Sequence, residues 1–162
     1  MPLIQIKVII PKRLMFDYNK WTREIKRVMK QRTEPELKAL FRGTVEGWKK
    51  PPTFWASYIQ TPSSIGVQVY AREKVYAIVT RGSPPHTIRA RRRGLLRFQP
   101  GYRASTRPGS LQSGAAMRFG AMMTAVRVNH PGFAARNFDK QIADVYGPTF
   151  AADMEKTFAA GV

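Results

Sequence analysis

No cysteine occurs in the chain, which excludes a disulfide framework, a thiolate metal site and a thiol nucleophile, and is consistent with assembly in a reducing cytoplasm. Acids are scarce: 10 Asp and Glu stand against 28 Lys and Arg, for a formal net charge of +18. From Lys74 to Phe138 there is no Asp or Glu at all, while Lys74, Arg81, Arg89, Arg91, Arg92, Arg93, Arg97, Arg103, Arg107, Arg118, Arg127 and Arg136 fall in that interval. The only two histidines, His86 and His130, lie in the same interval, so neither has a neighbouring carboxylate with which to build a metal site. No Gly-x-Ser-x-Gly elbow and no Walker-type Gly-Lys-Ser/Thr loop is present. Leu3 to Ile10, broken by Gln5 and Lys7, is too short for a membrane span, and no small-residue cleavage site follows it. These absences predict a soluble product with no enzymatic role, cofactor or metal and no membrane partner.

What is present supports a folded domain. The apolar fraction of 43% is ordinary for a globular protein, so the charge is laid over a foldable chain. At 162 residues the chain can bury roughly 70% of its unfolded surface as one domain. Leu3 to Ile10 alternates as a half-buried strand ended by Pro11. Asp17 is placed to cap a helix in which Trp21, Ile25, Val28 and Met29 form the core face and Lys20, Arg23, Lys26, Arg27 and Lys30 a solvated one. Thr33, with Glu36 as reciprocal partner and Pro35 in the first turn, predicts the start of a second helix carrying Leu37, Leu40, Phe41, Val45 and Trp48.

After Pro51-Pro52 the period changes to two. Phe54 to Gln60, Ile65 to Ala71 and Lys74 to Thr80 read as three strands of an antiparallel meander, and Leu95 to Gln99 and Met122 to Val128 as two more. Trp55, Tyr58, Tyr70 and Tyr76 on these strands are expected to pack under helices rather than to stack bases. Between the last two strands, Pro100 to Gly120 is an Arg/Gly/Ser-rich loop longer than a compact domain ordinarily carries. Phe138, Ile142 and Val145, then Phe150, Met154 and Phe158, form helical stripes interrupted at Gly147-Pro148. The predicted fold is α+β, with residues 1–53 supplying a strand and helices, 54–128 an antiparallel sheet with the long loop at about 100–120, and 133–162 a C-terminal helical segment that helps to cover the sheet.

The most informative stretch is Thr80 to Phe98, answered by Val128-Asn129-His130-Pro131-Gly132. Gly82 and Pro84-Pro85 end the preceding element, so the arginines lie in a basic loop or hairpin. Arg89, Arg91, Arg92, Arg93 and Arg97, with Arg103 and Arg107, are the candidate anion-facing residues: long cations crowded beside a turn repel one another unless an anion is near. Strand alternation would place Arg89, Arg91 and Arg93 on one face. Arginine throughout the run favours forked contacts to phosphate or carboxylate, and the partner is DNA or an acidic protein surface. A two-histidine phosphodiester-cleaving site is conceivable, but each histidine, boxed by proline, is expected to hydrogen-bond its own turn. Gly132 is expected at positive φ in a structural turn.

The blocks Gly82-Ser83-x-Pro85-His86-x-Ile88, Leu96-x-Phe98 and Val128-x-His130-Pro131-Gly132, followed by Phe138 and a C-terminal helix, resemble the head-to-tail joining proteins of tailed bacteriophages, over roughly Val75 to Phe158. The resemblance implies a structural virion protein of the neck, tail-completion or tail-terminator kind at the head–tail junction, assembled in the host cytoplasm. It implies a homo-oligomeric, hexameric ring that surrounds the DNA channel and contacts neck, connector and tail-tube neighbours. In that setting the arginines meet double-stranded DNA without reading sequence. The competing reading is a small basic nucleic-acid-binding protein outside any virion.

Overall fold

The computed structural model describes residues 4–9, 18–62, 64–91, 94–99, 111 and 120–160. Three strands, β1 (Ile4–Ile9), β2 (Phe54–Thr61) and β3 (Ser64–Ala71), form an antiparallel sheet of order β1-β3-β2. β3 is central because its inward residues Ile65, Val67 and Val69 are all buried, and the flanking strands need bury only Ile4 and Val8 or Phe54. The register sets Ile6 opposite Val67 on one side and Ala56 opposite Val69 on the other.

The N-terminal and C-terminal helices cover this sheet, so the fold is α+β. α1 (Tyr18–Val28) runs through a π-helical turn, Met29–Thr33, into α2 (Glu34–Gly43). The expected Thr33 cap and helix restart are therefore corrected. Thr33 has right-handed helical φ and ψ and makes no side-chain cap bond. Pro35 cannot donate to the ladder, and the widened turn just before it accommodates that loss without ending the helix. Glu36 pairs with Arg32 at 3.3 Å instead of reaching back to Thr33.

The third expected strand, Lys74 to Thr80, is also corrected: α3 spans Lys74–Arg81. Tyr76, Val79 and Thr80 turn inward at three- and four-residue steps, leaving Val75 and Ile78 exposed. Eight residues rich in β-branched types fit either period, and burial of Tyr76 decides for the helix. Its ring meets those of Phe41, Trp48, Phe54 and Phe138 with centroids 5.1–6.3 Å away. Its hydroxyl lies 3.2 Å from that of Thr44. The other aromatics divide: Trp55 is half exposed beneath the Arg72 guanidinium, and Tyr58 is half exposed and donates to Glu34.

α4 (Phe138–Ala160) passes through Gly147-Pro148 without a break, against expectation. Phe138, Ile142, Tyr146, Phe150, Met154 and Phe158 recur every four residues along it, and packing of that stripe against both core clusters outweighs the local cost of Pro148. Tyr146, not Val145, belongs to the stripe; Val145 faces out. Trp21 of α1 stacks on Phe158 at 3.8 Å, and Arg32 holds the buried Asp153 at 3.0 Å.

The expected single sheet over 54–128 is corrected as well. Among the described residues, β4 (His86–Arg89) pairs only with β7 (Arg127–His130), and β5 (Leu96–Phe98) only with β6 (Met123–Ala125). The expected strand Met122 to Val128 is thus two strands, and the chain changes partner at Val126, whose carbonyl accepts from Ala90 N–H at 2.9 Å. Most of the long loop at 100–120 lies outside the described residues.

Candidate nucleic-acid interface

α3 ends at Gly82, with φ +79. Ser83 and Phe133 then exchange backbone hydrogen bonds of 3.0 and 2.9 Å, tying the start of β4 to the turn after β7. That second turn is Gly132, at φ +78, where a Cβ would press into the Ser83 carbonyl oxygen and stand 2.7 Å from the Pro84 carbonyl carbon. Only glycine suits both the dihedral and the space. Asn137 N–H donates to Thr80 O at 2.9 Å, so the same crossing satisfies a terminal carbonyl of α3 and starts α4.

The two segments pair as His86↔His130, Thr87↔Asn129, Ile88↔Val128 and Arg89↔Arg127. His-Thr-Ile-Arg is answered by Arg-Val-Asn-His, so like side chains meet at every position. Alternation gives the ribbon two faces. One carries the two histidines with Ile88 and Val128. The other carries Thr87, Arg89, Arg127 and Asn129, and there the Thr87 hydroxyl donates to Asn129 Oδ1 at 3.0 Å.

The histidines bond their own turns, as expected. His86 Nδ1 donates to Pro84 O at 2.9 Å, with the Ser83 hydroxyl at 3.3 Å, and Gly132 N–H donates to His130 Nδ1 at 3.0 Å. These partners require opposite neutral tautomers, with the proton on Nδ1 in His86 and on Nε2 in His130. The rings stack at 5.1 Å. A metal on His130 Nε2 would require a proton on Nδ1, which would face the Gly132 N–H, so the pair is a poor chelate. No group of three or more His, Asp or Glu side chains placed to hold a metal occurs among the described residues.

The arginines are arranged differently from the expected strand face. β4 ends at Arg89, and Arg91 lies in a turn closed by Gly94 N–H to Arg91 O at 3.1 Å, so alternation does not carry Arg89 and Arg91 onto one face. Arg97 is on the neighbouring ribbon, opposite Thr124. Arg92, Arg93, Arg103 and Arg107 lie outside the described residues. Arg127, absent from the sequence-derived set, stands directly across from Arg89, and the reversed His-x-x-Arg and Arg-x-x-His spacing was the available signal. Among the described residues every ion pair lies in the helices, and no carboxylate pairs with Arg89, Arg91, Arg97 or Arg127. Like charges directly opposed on a ribbon are destabilising, and no carboxylate among the described residues offsets Arg89 and Arg127.

Of the family resemblance residues, Gly82, Pro85, His86, Ile88, His130, Pro131 and Gly132 all fall in or beside this one ribbon. No family model, curated protein or solved structure matches the chain.

Proposed function

We propose that the chain is a structural virion protein that forms a homo-oligomeric ring, a hexamer, at the head–tail junction of a tailed phage. There it joins tail to capsid, contacts neck, connector and tail-tube proteins and surrounds the DNA channel. One observation carries this reading: the first and last of the three sequence blocks that resemble head-to-tail joining proteins are the two halves of a single ribbon, one face of which is cationic and, among the described residues, without a carboxylate partner. A ring lumen that lets double-stranded DNA pass calls for phosphate contacts that carry no sequence information, and opposed arginines provide them. Two short ribbons that pair with no further strand among the described residues also suit a subunit that is completed by neighbours, since a lone two-stranded ribbon is marginally stable in water. The test is the mass of the purified chain and its position in assembled particles. A closed oligomer located at the neck is expected. A strict monomer that binds DNA and is missing from particles overturns the reading in favour of a free nucleic-acid-binding protein.

A further inference from the structure

The cationic face of the β4–β7 ribbon carries a second polar pair beside its arginines. Thr87, Arg89, Arg127 and Asn129 are all exposed, and they form two rungs, Thr87 opposite Asn129 and Arg89 opposite Arg127. Side chains two residues apart on a strand stand about 7 Å apart on the same face, so the rungs are neighbours. Asparagine is depleted in strands, because its short amide competes for backbone hydrogen bonds and fits a pleated surface poorly. Strand preference therefore does not explain the residue at 129.

The Asn129 amide is held in one orientation. The Thr87 hydroxyl donates to Asn129 Oδ1 at 3.0 Å. The amide is planar, with its oxygen and nitrogen on opposite sides of Cγ, so this bond turns the two Nδ2 hydrogens away from Thr87. The four side chains then present donors: the guanidinium N–H groups of Arg89 and Arg127 and the Nδ2 pair of Asn129. Their acceptors reduce to the lone pairs of the Thr87 hydroxyl and the Oδ1 it already occupies. No Asp or Glu occurs between Lys74 and Phe138 in the sequence. A surface of donors selects a ligand of acceptors. Protein surfaces and major-groove base edges offer donors and acceptors together, whereas the phosphodiester backbone offers anionic oxygens alone.

We propose that Asn129 is a further contact to the backbone of double-stranded DNA, with Thr87 as the residue that positions it. This rests on the reading that the ribbon meets DNA in the channel, and adds a neutral contact to it. Asn129 donates to a phosphate oxygen beside the phosphates that Arg89 and Arg127 hold. The division of labour follows from charge. The arginines displace counterions and so supply the salt-dependent attraction, while the uncharged amide displaces none and fixes where the ribbon sits along the backbone. Thr87 touches no phosphate and acts by keeping the Nδ2 hydrogens outward.

Duplex binding by the full chain, measured across a salt series, tests this. Asn129→Val removes the amide and keeps a strand-forming side chain, and Thr87→Val removes the hydroxyl at nearly the same shape. Both positions are exposed, so both variants are expected to keep the wild-type melting temperature. Asn129→Val should bind roughly tenfold more weakly, as for a lost hydrogen bond to a charged group. Its slope of log affinity against log salt should match the wild type, whereas loss of an arginine makes that slope shallower. Thr87→Val should also weaken binding, and the double variant should bind no more weakly than Asn129→Val alone, because Thr87 acts through the amide. The loss should be equal on duplexes of A·T pairs only and of G·C pairs only. A loss confined to the A·T duplex would place the amide against minor-groove acceptors and overturn the phosphate assignment. Additive losses would overturn the positioning role of Thr87. Wild-type affinity in Asn129→Val, whether or not its melting temperature falls, would leave the pair as a cross-strand tie and overturn the contact alone. A wild type whose duplex affinity does not change with salt would overturn the contact and the DNA-facing reading of the arginines together.

Discussion

His86 and His130 face each other across the β4–β7 ribbon with their rings stacked at 5.1 Å, yet their partners demand opposite tautomers. Nitrogen-resolved NMR of the neutral protein should show His86 protonated at Nδ1 and His130 at Nε2. Each imidazole thus closes the turn next to it, which is structural work. Two histidines in the same tautomer would remove the hydrogen bond assigned to one of these turns.

Gly132 is the least replaceable position in the ribbon. Gly132→Val should cost on the order of 1–2 kcal/mol from the left-handed dihedral alone, with a further penalty because Ser83 and Pro84 are backbone neighbours that cannot swing aside. Gly43 in α2 is the control. A Cβ there meets nothing within 4 Å, so Gly43→Ala should stabilise by roughly 0.5–1 kcal/mol through helix propensity. Thermal unfolding of both variants checks the pair.

Much of this was readable from the sequence where one constraint dominated. The alternation in β1, β2 and β3, the core face of α1 and α2, and the turn at Gly132 follow from periodicity and from glycine chemistry. The misreadings have a common cause, in that tertiary burial overrode a local signal. Tyr76 pulls Lys74–Arg81 into a helix despite its β-branched residues, and the four-residue stripe on α4 carries the helix through Pro148. In the candidate site the local turns were legible, but the cross-strand partner of Arg89 was not. Register between segments separated by nearly forty residues is decided by closure at Ser83 and Phe133, which no local pattern states.

Tyr76 separates packing from hydrogen bonding. Its ring contacts join α2, β2, α3 and α4, so Tyr76→Ala should cost about 3–5 kcal/mol, as for other buried aromatics. Tyr76→Phe keeps those contacts, and the Thr44 hydroxyl still donates to Phe41 O at 2.7 Å, so the loss should be near 1 kcal/mol. Denaturant titrations of the two variants measure the difference. Comparable losses would mean that the hydroxyl, rather than the ring, carries the stabilisation.

Glu34 links α2 to β2 in a pH-dependent way. Burial acts to raise the pKa of its carboxyl, but hydrogen bonds from Lys38 and Tyr58, with the charges of Lys38 and Lys30, outweigh it and leave the group below its ordinary value. A carboxyl depressed on folding contributes stability above its unfolded pKa and loses it as pH falls through the folded one. Glu34→Gln should therefore lower the melting temperature at neutral pH, by an amount equivalent to roughly 0.5 kcal/mol after solvent screening. The difference should vanish in acid below the carboxylate range. A deficit that persists unchanged in acid would show that shape, not charge, holds this contact.

Arg89 and Arg127 bring stability and binding into opposition. As directly opposed cations without an acidic partner among the described residues they strain the ribbon, and cross-strand pairs of this kind change stability by roughly 0.2–1 kcal/mol. Arg127→Gln should therefore slow amide exchange at Ala90, whose N–H bonds Val126 O at the same end of the ribbon. If Arg127 contacts a phosphate of double-stranded DNA, the same change should weaken binding equally across sequences and make the slope of log affinity against log salt shallower by about 1. Arg89→Gln with Arg127→Gln should reduce that slope by about twice as much. Arg27→Gln is the matched control: it removes one positive charge from α1, where Arg27 already pairs with Glu24 at 2.8 Å, and should leave the slope nearly unchanged. Faster exchange at Ala90 together with an unaltered salt slope would mean that the opposed arginines hold the ribbon together and meet no phosphate.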